Sequence, residues 1–249
     1  MRIALMVIRL FFQVPYMLFR IWRYGLYEDK FAHHEEAFAY LKKATIKANN
    51  AGRVKIEAYG LENLPAEDGF IMYCNHQGLF DSLVFLQSCP RPFSFIAKKE
   101  VKNIILLKQA IASLGAYIID REDLRQSMGV INAITADVKR GRNFLIFPEG
   151  TRAPEPNTLI EFKGGSFKSA TKAKCPIVPC ALVDAYKPFD ENGIKPVTVK
   201  LSYLPPLYYD EYKEMKTVEI AELVKSRIEA AIVELLSKTN VTVHGGIDK

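Results

Sequence analysis

The pairing in this 249-residue chain best suited to moving a proton is His76 with Asp81, in Asn75-His76-Gln77-Gly78-Leu79-Phe80-Asp81. Imidazole takes and returns a proton near neutral pH. It works best with a carboxylate on its other ring nitrogen, which fixes the tautomer and stabilises the imidazolium. In one continuous helix the two residues would stand about 140° apart and could not meet. A turn through Gly78 ahead of a helix would let Asp81 fold back onto His76. Taken alone the spacing is cheap, since a turn followed by a helix-start acid gives the same letters. Two further segments add to it. Phe147-Pro148-Glu149-Gly150-Thr151-Arg152 offers a proline that stops a ladder, a glycine that lets backbone approach a ligand, a hydroxyl donor on Thr151 and, on Arg152, a planar fork for phosphate. Asp120-Arg121 closes a third apolar run, Ala116-Tyr117-Ile118-Ile119.

Positioning these groups falls to the elements before them. Short apolar runs at 54–59, 70–74, 93–97, 116–119, 143–147, 177–183 and 196–203 read as strands, with helical patterns at about 100–114, 122–140, 164–173 and 217–238. Strands separated by helices imply an α/β fold with a mixed, largely parallel sheet flanked by helices. In such sheets ligands bind beyond the carboxyl ends of strands, where His76, Glu149 and Arg121 would stand. The last helix should open at a cap on Thr217, followed by Glu219, and the tail after Ser237 should fray. Two domains are expected: an N-terminal helical arm over 1–52 and an α/β body over 53–249.

In order and spacing, NHQGLFD, GAYIIDR, FPEGTR and CPIVPC resemble the four blocks of the glycerolipid acyltransferases; AKKE at 97–100 and FKGG at 162–165 also match. The resemblance covers about residues 55 to 205. It departs at Gly78, where many members carry serine. It implies an O-acyltransferase in which His76 is the general base on a lysophospholipid hydroxyl and Asp81 orients it. The hydroxyl would attack the thioester of acyl-CoA or acyl carrier protein, a co-substrate rather than a cofactor. The acceptor head group would be held by Arg152 with Glu149, Gly150 and Thr151, with Lys98 and Arg121 adding positive charge. Pro176-Ile177-Val178-Pro179 would form an acyl-packing wall. The expected acceptor is lysophosphatidic acid, giving phosphatidic acid. Glycerol phosphate, another lysophospholipid, or a non-catalytic lipid-binding role on the same fold are the alternatives. No metal set is expected. Cys74, two residues before His76, is a rival nucleophile, read as a packing residue.

Hydrophobic residues make up 49% and charged residues 25% of the chain, which excludes disorder, collagen-like structure and a polytopic membrane bundle. Four cysteines without a C-x-x-C pair favour a reducing, cytosol-facing setting. Residues 1–53 hold nine basic and four acidic side chains, +5 of the chain's +6. The excess charge lies beside the most apolar segment, which points to an anionic membrane surface; the balanced body argues against nucleic acid. On a helical wheel Arg2, Arg9, Gln13, Arg20 and Arg23 fall within about 80° of one another, opposite a Leu, Ile, Phe and Trp face. Residues 1–27 thus read as a helix lying in the interface, kinked at Pro15, with Arg2, Arg9, Phe11, Phe12, Arg20, Trp22 and Arg23 touching the membrane. The chain would then be monotopic on a cytoplasmic face. A spanning helix stays open because long arginines snorkel, as does a helix packed on the protein's own core. Residues 28–50 read as a second, more polar helix, with His33 and His34 solvated.

Overall fold

The computed structural model describes residues 1–27, 31, 33–100, 107–120 and 122–244, and side chains as far as 237. Its strands are β1 (Val54–Tyr59), β2 (Ile71–Cys74), β3 (Phe93–Lys98), β4 (Tyr117–Ile119), β5 (Asn143–Ile146), β6 (Ile177–Val183) and β7 (Val197–Tyr203). All seven coincide with the apolar runs to within a residue or two. They form one sheet in the order β1-β7-β6-β2-β5-β3-β4; every pairing is parallel except β6 with β7.

The helices are α1 (Arg2–Arg9), α2 (Val14–Tyr24), α3 (His34–Ala51), α4 (Asp81–Ser88), α5 (Leu107–Ser113), α6 (Leu124–Lys139), α7 (Lys168–Ala173), α8 (Lys187–Asp190), α9 (Tyr209–Tyr212) and α10 (Thr217–His244). Each sheet face carries its own core, as alternate strand residues require. Phe38 and Leu41 of α3 and Val84 and Phe85 of α4 join Met72, Phe93 and Leu145 on one side. Ile134 of α6, Ala170 of α7 and Ile220, Val224 and Ile228 of α10 join Ile71, Phe144 and Ile177 on the other. Because α3 is part of the first core, the connection at 52–53 does not separate two cores. Thr217 is the first helical residue of α10, not its cap: Glu219 reaches back to accept from the Lys216 N–H at 2.6 Å. The helix continues to His244, past the point where fraying was expected.

The arm departs from expectation in three ways. Pro15 does not kink one helix. It stands at the start of α2, where its missing N–H costs nothing, and α1 and α2 meet at 102°. The arginine face is turned inward at Arg2, while Arg9 and Arg23 stay exposed. Arg2, expected at the membrane, is 3% exposed and bonds to protein carbonyls. Arg9 donates to the Ala51 carbonyl, and Arg20 donates to the Tyr16 and Tyr24 hydroxyls while lying over the Tyr24 and Tyr40 rings. The outward face is apolar: Ile8, Phe11 and Phe12 are 71%, 65% and 93% exposed, with Tyr16, Phe19 and Trp22 beside them. Among the described residues no single helix is long and apolar enough to cross a membrane; α1 and α2 reach that length and composition only together, across their bend. Third, His34 is buried rather than solvated, and its Nε2 has no hydrogen-bond partner among the described residues. His33 stacks on Tyr27, with ring centroids 4.1 Å apart, and pairs with Glu36.

Candidate active site

β2 and β5 are parallel neighbours, so their carboxyl ends deliver two loops side by side. After β2 the chain turns through 75–80 and enters α4 at Asp81, the return that the His76–Asp81 spacing required. Asp81 is fully buried. Its Oδ2 lies 2.7 Å from His76 Nδ1 and accepts from the Gln77 N–H at 2.7 Å; the Gly78 N–H lies 3.0 Å from both carboxylate oxygens. One carboxylate therefore builds the turn and orients the imidazole. The His76 ring stacks on Phe147 at 4.5 Å between centroids, which fixes its second rotation. With Nδ1 committed to Asp81, Nε2 is left for the cleft that His76 lines.

The β5 loop supplies the other wall. Gly150 has φ 73°, a left-handed conformation that favours glycine, and its N–H closes a turn onto the Phe147 carbonyl. Glu149 was expected at the acceptor head group, but it is 1% exposed and faces inward. Its Oε1 accepts from the His76 N–H at 2.9 Å and its Oε2 from the Ile160 N–H at 3.3 Å, so it ties the two loops together. Burial raises its carboxyl above the ordinary range, and those two N–H groups oppose the rise. Arg152 is exposed and lines the cleft, its Nη1 donating to Asp190 Oδ2 at 3.2 Å. Gly78 lies beneath this pair: a Cβ there would meet Asp190 Oδ2 at 3.4 Å and Arg152 Cζ at 3.9 Å. A cleft of about 280 Å³ runs between His76 and Arg152, walled by residues 153–158, Tyr186 and Asp190.

Other expected members stand elsewhere. Thr151 is exposed and does not line the cleft. Lys98 ends β3 in an exposed position, two strands from β2 and so about 10 Å away across the sheet. Arg121 lies outside the described residues. Its neighbour Asp120 pairs with Lys99 at the far edge, three strands or about 14 Å from β2, so the third strand end does not close on His76. Of the 176–179 segment expected as an acyl wall, 177–179 open β6, which is buried throughout in mid-sheet between β7 and β2 and does not line the cleft. Cys74 is fully buried, and burial pushes its thiol well above the ordinary range, which leaves it inert.

Several groups were not singled out from the sequence. Asn75 locks β2 to β6 by exchanging two hydrogen bonds with Leu182. Gln77 donates to Asn157 and to the Leu182 carbonyl, and accepts from the Ala185 N–H. Asp190 faces Arg152 across 38 residues of sequence, which no local pattern could signal.

A family model described as Acyltransferase matches residues 55–183. The chain belongs to the acyltransferase family. It is 29% identical over 154 residues to the 1-acyl-sn-glycerol-3-phosphate acyltransferase of Helicobacter pylori, covering 58% of this chain and 65% of that protein. It is 34% identical over 126 residues to the Saccharomyces cerevisiae protein of that name, covering 50% and 41%. The chain thus spans between 41% and 65% of the length of these two curated relatives. The crystal structure of the 1-acyl-sn-glycerophosphate acyltransferase PlsC from Thermotoga maritima superposes with a TM-score of 0.72 at 24% identity, covering 92% of this chain and 91% of that one. At that identity the likeness establishes the acyltransferase fold.

Proposed function

We propose that this acyltransferase moves a fatty acyl group from a thioester to the free hydroxyl of lysophosphatidic acid, forming phosphatidic acid for phospholipid synthesis. The observation that carries this reading is the His76–Asp81 pair, which leaves Nε2 for the cleft that Arg152 also lines. The acceptor hydroxyl gives its proton to Nε2 as its oxygen attacks the thioester carbonyl. Asp81 stabilises the imidazolium. The tetrahedral intermediate collapses with loss of the thiolate, which takes the proton from His76 to leave a free thiol. Arg152 exchanges Asp190 for the acceptor's phosphate, a better match to its fork. Lys98, about 10 Å away across the sheet, would add positive charge only at long range. The donor is acyl-CoA or acyl carrier protein.

The exposed apolar face of α1 and α2 supports a seat on a membrane, where an acceptor with a long acyl chain resides, and on this reading the enzyme works at the cytoplasmic face. This revises how the arm would bind: the aromatic and aliphatic side chains enter the lipid, Arg23 remains exposed toward the head groups, and Arg2 does not take part. The test is the purified full chain with lysophosphatidic acid and each donor in turn, scored for thiol release and lipid product. Equal parts of thiol and phosphatidic acid are expected with at least one donor. Thiol release independent of the acceptor would refute the reading.

A further inference from the structure

α8 is four residues long, yet it touches three separate parts of the molecule. Asp190 holds Arg152. Phe189 packs edge-on against Phe80, 5.1 Å between centroids, and Phe80 is fully buried beside Asp81. The carbonyl of Pro188 accepts from Arg2 Nε at 3.2 Å. The same guanidinium donates through Nη1 to the Gly52 carbonyl at 2.7 Å and through Nη2 to the Lys195 carbonyl at 2.9 Å. All three of its nitrogens are used, on the end of α3, on α8 and on the lead-in to β7. Only a planar fork of fixed geometry does this; an ammonium on the same stem could not reach three carbonyls in three directions. Pro188 also sits where a four-residue helix leaves its carbonyls without intrahelical donors, so Arg2 supplies a bond that α8 cannot make for itself.

We infer that Arg2 is a positioning residue for Arg152, acting through α8 and Asp190. This rests on the reading of Arg152 as the group that grips the acceptor's phosphate. A single residue, Phe189, separates the residue whose carbonyl Arg2 holds from the one whose carboxylate holds Arg152. A shift of α8 therefore moves Asp190 and, with it, the guanidinium that must meet the phosphate. Ile3, Val7 and Ile8, on the opposite side of α1 from Arg2, are exposed. The seating of that helix is thus communicated to the head-group end of the cleft.

The experiment uses the full chain and a double-mutant cycle of Arg2→Ala with Asp190→Asn, read as separate KM values for lysophosphatidic acid and for the thioester donor. Arg2→Ala should raise the acceptor KM about tenfold while the donor KM stays within about twofold. In the Asp190→Asn background the same change should move the acceptor KM by less than about twofold, because the connection is already cut. Equal rises in both KM values, or an effect undiminished by Asp190→Asn, would overturn the inference. Should Arg2→Ala not fold, Arg2→Lys keeps the charge and is expected to give about a threefold rise with the same split between substrates. A readout independent of turnover separates this inference from the function it rests on. The ¹⁵Nε resonance of Arg152, assigned through Arg152→Lys, should shift in Arg2→Lys. If the wild type turned over no lysophosphatidic acid, the proposed function would fall while that shift still supported the coupling; an unmoved resonance would refute the coupling whatever the activity.

Discussion

Replacing Asp81 by asparagine changes one atom at the centre of the catalytic turn, and the surrounding hydrogen bonds dictate the consequence. In the native protein the carboxylate accepts from His76 Nδ1 and from the Gln77 and Gly78 N–H groups, and it is closed to water. Asparagine keeps one acceptor oxygen and turns an amide NH2 toward donors. If its oxygen takes the Oδ1 place, only the Gly78 N–H is kept, and the amide faces Nδ1 and the Gln77 N–H and selects the tautomer protonated at Nε2. If its oxygen takes the Oδ2 place, it keeps Nδ1 and both turn N–H groups, while the amide crowds the Gly78 N–H and the charge that stabilises the imidazolium is lost. The second arrangement keeps all three donors, so it should prevail.

The comparable substitution in a Ser-His-Asp hydrolase lowers kcat about 10⁴-fold through a tautomer error that this geometry avoids. Loss of the charge alone should lower kcat about 10²–10³-fold here, about 2.7–4 kcal/mol of barrier. The acceptor KM should hold within about threefold, because Arg152 is untouched. The assay is steady-state thiol release with saturating donor, alongside a melting curve to confirm the fold. His76→Ala should cost at least as much, and His76→Ala with Asp81→Asn should be no worse than His76→Ala alone, since the two act as one unit. A folded Asp81→Asn enzyme retaining a tenth of its kcat, or a double variant whose losses multiply, would refute a base oriented by this carboxylate.

Glu149→Gln should leave one buried N–H facing an amide donor, costing about 1–3 kcal/mol, and should change the pH dependence of stability. The folded carboxyl is raised above its ordinary value of 4.5, so the native state holds its proton more tightly and stability falls as pH rises through the folded pKa. In melting curves the wild type's advantage over Glu149→Gln should thus be largest at about pH 4 and shrink toward neutrality; an advantage that grows with pH would contradict this. Burial lowers the pKa of His34 from 6.5, with Arg142 also disfavouring the cation, so its contribution is complete above 6.5 and is lost as pH falls through the folded value. His34→Gln should flatten that acid-side loss, measured as melting temperature at descending pH. Phe11→Ser with Phe12→Ser should weaken binding to anionic vesicles at least tenfold, since each aromatic contributes about 1.5–3 kcal/mol on burial. Trp22, the sole tryptophan, should shift its emission to the blue on vesicles in the wild type; an unchanged spectrum would separate α2 from the lipid.

Run length and composition located all seven strands, because a buried parallel strand is a short apolar run and little else. The meeting of His76 with Asp81 and the place of Arg152 on the cleft were legible because each motif closes its strand directly, whereas the inward turn of Glu149 was not. What escaped depended on direction or on distance. A helical wheel groups Arg2, Arg9 and Arg20 on one face but does not say which way that face looks. Three backbone carbonyls on the body decide it for Arg2. Pro176-Ile177-Val178-Pro179 was expected as an acyl-packing wall from the resemblance, yet three of its four residues open β6, which strand order places in mid-sheet. Asp190 and Asn157 owe their places in the cleft to contacts made across 38 and 80 residues. His34 is buried by Phe31 and the β3 side of the core, while its neighbour His33 stacks outside on Tyr27.

A sharper distinction separates the carboxylates. Asp81, Glu149 and Asp190 all stand beside the cleft, and composition alone would let any of them touch substrate. Asp81 and Glu149 are buried, and between them they accept three backbone N–H groups of the β2 turn and one of the β5 loop. They are parts of the scaffold. Asp190 is half-exposed and bonded to a side chain that has its own reason to be free. Fixed carboxylates hold the base still, whereas an exposed one holds the cation only until a better anion arrives. On the proposed reading, two buried acids and one exposed acid thus divide the work of the cleft: His76 would be set before the acceptor enters, and Arg152 would be released when its phosphate does.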